Sequence, residues 1–254
     1  MTLIGSLSLF AVGVLASIFG TLVGLGGGFV IIPVLRIAFG APPAHAAGTS
    51  LVMVFANTAA ATAGYLRQRL VDTRLARPLM LGAVPGSIAG VFAVKRFTPA
   101  GFDLAYGIVL LVLAALVIRR RSLESRASDE PTFAHDRRVA LAAGIGVGFF
   151  SSMFGIGGGV VLIPLLLIAA RMRPHVVTAT SALVITVTSP VGVITHALGG
   201  DIDWAFTLPL VLGGLVGGSL GPPISKRVSS PMLITLLAVA LILAAISLAL
   251  RHLL

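Results

Sequence analysis

Long apolar runs separated by short polar punctuation set the pattern of this chain. Crossing the ~30 Å hydrocarbon core of a bilayer takes ~20 mostly apolar residues in a helix. Runs of about that length occupy 45–66, 76–95, 102–118, 176–198, 205–225 and 232–250, three in each half of the chain. Each is expected to be a transmembrane helix.

The start of each half reads differently. Residues 3–39 and 139–170 are apolar throughout but are interrupted by Gly24-Leu25-Gly26-Gly27-Gly28 and Gly155-Ile156-Gly157-Gly158-Gly159. Each glycine costs ~1 kcal/mol in a helix relative to alanine, so three in a row predict a break. The stretch 25–39 would reach only ~22 Å as a helix, short of a crossing. Each half is therefore expected to open with a Gly-broken helix pair, either a re-entrant hairpin or two short spans.

The two halves match at a constant offset of 131. Gly24, Gly26, Gly27 and Gly28 fall on Gly155, Gly157, Gly158 and Gly159, and Pro33 on Pro164. Thr49-Ser50 fall on Thr180-Ser181, Asp72 on Asp203, and Lys95-Arg96 on Lys226-Arg227. Pro78, Gly82, Gly86 and Gly90 fall on Pro209, Gly213, Gly217 and Gly221. Between 24–96 and 155–227 there are 22 identities in 73 positions without an insertion. Shared Leu, Val and Ala follow from apolar composition, but coincident Gly, Pro, Asp and Lys-Arg point to an internal duplication, as in many transporters. The organisation expected is a membrane repeat over 1–118, a charged cytoplasmic linker over 119–138 and a second membrane repeat over 139–254.

Composition sharpens this picture. The chain is 57% hydrophobic and 10% charged, against roughly 25% charged in soluble domains. Its net charge of +10 would suggest nucleic acid in a soluble protein. Here the arginines sit between apolar runs, where membrane anchors belong, so nucleic acid is not expected as a partner. With the linker cytoplasmic and the repeats inverted, 14 Lys and Arg lie inside and four outside; parallel repeats would give 11 and seven. The positive-inside rule favours inversion. The fold class expected is thus an all-α polytopic membrane protein of two inverted repeats, each a Gly-broken pair plus three transmembrane helices. The apolar N-terminus lacks the basic segment of a secretory signal and reads as mature protein.

Candidate chemistry centres on the two breaks. Open backbone amides at Gly26, Gly27, Gly28 and at Gly157, Gly158, Gly159 would face an anion with the partial positive charge of helix N-termini. The competing reading is close helix packing through Gly20, Gly24 and Gly28. No Lys-Ser/Thr follows the glycines, so a nucleotide loop is not indicated. On the next helix Ser50, Asn57 and Thr58 share a face with Thr49 nearby, and Thr180, Ser181, Thr188 and Ser189 repeat the pattern. Such groups either donate to an oxyanion or bond neighbouring backbone, and Pro190 would open the second stripe. Asp72 and Asp203 read as helix caps, the Gly82 and Gly213 series as packing faces, Trp204 as an interfacial anchor, and His196 as a water-accessible interfacial histidine. Cysteine is absent and His45, His175 and His196 are scattered, so no cofactor, metal or catalytic residue is expected.

The segment Phe19-Gly20-Thr21-Leu22-Val23-Gly24-Leu25-Gly26-Gly27-Gly28 to Pro33, repeated as Met153-Phe154-Gly155 to Pro164 with a Thr-Ser pair after each, resembles the TauE/SafE sulfite exporter family. The two copies depart from each other before the first glycine, Gly20-Thr21-Leu22-Val23 against Ser151-Ser152-Met153-Phe154. The resemblance implies a multi-pass permease of the cytoplasmic (inner) cell membrane, acting on sulfite, sulfonates or related organic anions. The function expected is a secondary transporter, an exporter of a small anion; a homo-oligomer is left open. A membrane-embedded enzyme or a structural and assembly protein are the alternatives. Anion export needs no proton relay, because the membrane potential supplies ~2.3 kcal/mol per charge per 100 mV.

Overall fold

The computed structural model describes residues 3–121, 137–168 and 174–251. Among these described residues ten helices form: α1 (Leu3–Val23), α2 (Gly28–Ala38), α3 (Pro43–Arg67), α4 (Thr73–Val94), α5 (Pro99–Arg121), α6 (Arg137–Phe154), α7 (Gly159–Ile168), α8 (Pro174–Leu198), α9 (Trp204–Ser225) and α10 (Ser230–Arg251). Among the described residues there is no strand. Among the described residues six helices, α1, α3, α4, α5, α8 and α9, are long and apolar enough to cross a membrane. This is a multi-pass membrane protein.

The six expected spans appear as α3, α4, α5, α8, α9 and α10, with no end moving by more than three residues. Prolines at the first helical position extend α3, α5 and α8 beyond their apolar runs, because Pro already has a helical φ and needs no N–H partner there. Asp72 and Asp203 cap α4 and α9: one carboxylate oxygen of each accepts from the amides of Arg74 and Leu75, and of Ala205 and Phe206. Asp72→Ala or Asp203→Ala is expected to cost about 1 kcal/mol each, read as a lowered midpoint of thermal unfolding. The expected linker begins and ends in helix, since α5 runs to Arg121 and α6 starts at Arg137; positions 122–136 lie outside the described residues.

The breaks fall where the glycines stand. α1 stops at Val23, four residues turn, and α2 starts at Gly28; α6 stops at Phe154 and α7 starts at Gly159. Each pair is a tight hairpin. Gly27 lies directly against Gly20, and a side-chain carbon added to Gly27 would meet the Ala16 carbonyl at 2.7 Å, so the chain doubles back along α1. The backbone there is left-handed, with φ of 85° at Gly27 and 90° at Gly157, which side chains rarely tolerate.

Glycine also fixes how the hairpins pack. Along α4, Gly82, Gly86 and Gly90 meet Leu141, Ile145 and Phe149 of α6 in that order; along α9, Gly213, Gly217 and Gly221 meet Phe10, Val14 and Thr21 of α1. Both pairs therefore run parallel in close contact, as small residues spaced by four permit. The long central helices do the opposite. Gly48 near the start of α3 touches His196 near the end of α8, and Tyr65 near the end of α3 packs with Ala179 and Ala182 near the start of α8. The helices α3 and α8, equivalent under the 131-residue offset, lie antiparallel.

Candidate functional site

Two helices of 25 residues, α3 and α8, are each ~37 Å long and serve as a ruler through the molecule. Val54 and Ile185 stand one residue before their midpoints. A side-chain carbon on Gly26 would meet Val54 at 2.8 Å, and one on Gly157 would meet Ile185 at 3.1 Å. The two glycine turns therefore sit at mid-length of the spanning helices and are buried. The hairpins overlap in depth: Gly24 reaches Thr178 near one end of α8, and Gly155 reaches Ala47 near the opposite face, at the start of α3.

Where they pass, the turns touch. Gly28, the first residue of α2, abuts the Gly155 carbonyl, and Gly159, the first residue of α7, abuts the Gly24 carbonyl. Each short helix thus sets its positive end against a carbonyl at the tip of the other hairpin. The amides of Gly27, Gly28 and Phe29, and of Gly158, Gly159 and Val160, make no hydrogen bond among the described residues.

The polar stripes close around these turns. Ser50 donates to the Gly155 carbonyl at 2.8 Å and Ser181 to the Gly24 carbonyl at 2.9 Å, each reaching into the opposite repeat. Asn57 donates its amide to the Gly26 carbonyl and accepts from the Thr21 hydroxyl, both at 2.8 Å. Thr49 and Thr180 accept from the amides of Asp203 and Asp72, again across the repeats and both at 3.0 Å. The remaining hydroxyls turn inward on their own helices. Thr58 and Thr188 donate to the Val54 and Val184 carbonyls, and Ser189 to that of Ile185. The helix α8 continues through Pro190. All of these side chains are buried.

The match between repeats is incomplete. Thr21 and Asn57 have Ser152 and Thr188 as equivalents; Thr188 faces its own backbone, and the Ser152 hydroxyl is buried with no partner. Tyr65 and His196 are better preserved. The Tyr65 hydroxyl donates to the Thr21 carbonyl at 3.0 Å, and His196 Nε2 lies 3.0 Å from the Ser152 carbonyl. His196 is 0% exposed, which corrects the expectation of a water-accessible position: its ring is enclosed by Ser152 and by Asp201, 3.2 Å from Nδ1. Asp201 also pairs with Lys95 at 2.9 Å.

A buried arginine was not anticipated as more than an exterior charge. Arg36, on the short helix α2, is 1% exposed and bonds both Asp103 oxygens at 2.8 Å, the Ala41 carbonyl at 2.6 Å and the Pro99 carbonyl at 3.1 Å. It ties the hairpin to the start of α5. The available signal was one lone basic and one lone acidic residue inside otherwise apolar segments, which in lipid seek each other.

Cavities border the site. One of about 590 Å³ is lined by Phe19 of α1, by residues of α2 and by residues of α10 including Ser247, and includes Phe29, next to Gly28. Another of about 170 Å³ is lined by Thr49, His45, Asp203 and Phe206. Among the described residues, no group of three or more His, Cys, Asp or Glu is placed to hold a metal.

The family model described as Sulfite exporter TauE/SafE matches residues 9–248. A Bacillus subtilis protein named "Probable membrane transporter protein YunE" is 28% identical, covering 92% of this chain and 94% of its own length. A Cupriavidus necator protein named "Probable sulfite/organosulfonate exporter TauE" is 28% identical over 90% of both chains. A Methanocaldococcus jannaschii protein named "Probable membrane transporter protein MJ0441" is 27% identical over 87% of this chain and 86% of its own. No solved structure matches.

Proposed function

Because the chain belongs to the sulfite exporter TauE/SafE family and is a membrane transporter, we propose that it is a secondary transporter exporting a small anion such as sulfite or a sulfonate across the cytoplasmic membrane. The observation that carries this reading is the meeting of two broken hairpins at mid-depth, with unbonded amides at the start of α2 and α7. Amides at helix N-termini are suited to an oxyanion, and a discontinuous helix exposes them only where protein or a water-filled path surrounds them.

The antiparallel arrangement of α3 and α8 supports an inverted pair of repeats, with hairpins entering from opposite faces. The excess of Lys and Arg on the linker's side supports a cytoplasmic linker. Transport would proceed by separating the two hairpins, so that Ser50 and Ser181 exchange a carbonyl of the other repeat for an oxygen of the anion. The sulfonate or sulfite class fits this chemistry: a compact oxyanion accepts several N–H and O–H donors at once. The Cupriavidus relative's name supports the same class.

Flux of sulfite and of a sulfonate panel in proteoliposomes tests the proposal. Flux above empty vesicles is expected, with Ser50→Ala, Ser181→Ala and Asn57→Ala each at least tenfold slower in protein that still elutes as a folded species. Asn57→Ala is expected to fall furthest, because it strips a donor from Gly26 and an acceptor from Thr21 together. Flux equal to empty vesicles for every anion in the panel would remove the reading and leave an enzyme or assembly role to consider.

A further inference from the structure

Parallel packing of α4 and α6 brings the starts of both helices together at one face of the molecule. There Arg74 and Arg77, three apart and so on one side of α4, join Arg137 at the first residue of α6 around a cavity of about 400 Å³, whose other walls are Leu75, Pro78, Leu81 and Ala140. All three arginines are exposed, and none forms an ion pair among the described residues. The adjacent acid, Asp72, has its carboxylate on the amides of Arg74 and Leu75 as the helix cap. Positive side chains at helix N-termini are electrostatically unfavourable, because the dipole there is positive as well. The arrangement calls for a counter-anion.

Two further observations indicate what that anion is. Below the arginines the surface is apolar and uncovered: Leu81 is 57% exposed, Val84 41%, Ile88 41% and Ile145 46%. A free anion has nothing to place on this strip, whereas acyl chains cover it. The basic cluster is also absent from the duplicated position, where the residues offset by 131 are Ala205, Leu208 and Ser6. The α1–α9 pair packs by the same glycine contacts as α4–α6, so helix packing does not require these charges.

We propose that Arg74, Arg77 and Arg137 form a binding site for the phosphate headgroup of an anionic phospholipid, its acyl chains lying on the Leu81–Ile88 strip. Basic clefts between membrane helices are chemically suited to such headgroups. The site is separate from the transport path and stands or falls independently of the transported solute.

Native mass spectrometry of the purified, delipidated chain tests it by titration with phosphatidylglycerol, phosphatidylcholine and inorganic phosphate. Phosphatidylglycerol is expected to bind at least tenfold more tightly than phosphatidylcholine. That preference should vanish in R74Q/R77Q/R137Q and persist in K226Q/R227Q, which removes two exposed charges at the same face. The single variant R77Q, expected to weaken phosphatidylglycerol at least threefold, provides the readout if the triple variant does not fold. Equal affinity for the two lipids, equal loss in both multiple variants, or an unchanged R77Q would overturn the proposal. Displacement of phosphatidylglycerol by millimolar inorganic phosphate would overturn its assignment to lipid.

Discussion

Gly28→Ala is expected to yield protein that unfolds at markedly lower temperature and transports no faster than empty vesicles. One added carbon at this position would fall inside contact distance of the Gly155 carbonyl, 2.8 Å from the Ile156 α-carbon and 2.9 Å from a Val54 methyl. Two of the three obstacles are backbone, which cannot rotate away, so the hairpins themselves must part. Overpacking of a tight interior costs roughly 1–3 kcal/mol and sometimes more, and the upper end applies where the neighbour is main chain. Gly159→Ala should behave alike, because it meets the Gly24 carbonyl and the Leu25 α-carbon in the opposite sense. Gly146→Ala is the control. Nothing lies within 4 Å of its added carbon, so it should be neutral or up to about 1 kcal/mol stabilising through helix propensity. Equal melting behaviour for Gly28→Ala and Gly146→Ala would show that the turns do not touch.

The second large effect is expected at Arg36. Arg36→Met removes two bonds to a carboxylate that stays buried at the start of α5, together with those to the Ala41 and Pro99 carbonyls. Breaking a buried pair from one side typically costs about 3–5 kcal/mol, enough to approach the whole stability of a marginal protein. The double variant Arg36→Met/Asp103→Leu should recover much of the loss, because neither charge then remains in the interior. Denaturant unfolding of the two single variants and the double variant measures the coupling. Additive losses would mean the pair does not interact. The cation–π contact of Arg36 with the Phe102 ring, 5.8 Å to its centroid, adds a smaller contribution lost in every variant lacking the arginine.

Much of the fold was legible in the chain. Apolar length predicted the spanning helices because lipid forces backbone groups to bond within their own segment, leaving few other conformations for 20 apolar residues. The breaks were legible for a related reason: Gly24, Gly26 and Gly27, like Gly155, Gly157 and Gly158, take a left-handed backbone that other residues disfavour. The caps Asp72 and Asp203 act locally and could be read locally. His196 could not. Its burial depends on Ser152 and Asp201 closing around it, and Asp201 has no equivalent in the first repeat, where Leu70 stands.

The stripe of Ser50, Asn57, Thr180 and Ser181 illustrates the same boundary. Sequence spacing placed Ser50 and Asn57 on one face of α3, and Ser181 and Thr188 on the corresponding face of α8, as periodicity must. Which acceptor each hydroxyl finds was decided by the second repeat, since Ser50 reaches Gly155 and Ser181 reaches Gly24 across more than a hundred residues of chain. The sequence by itself determined the helices and their interruptions, because these follow from local backbone preference and from the solvent being lipid. Only the tertiary structure decided that the two hairpins overlap in depth and set each positive helix end against a carbonyl of the other. That contact is made between distant segments, and no local rule specifies which pairs of glycines will meet.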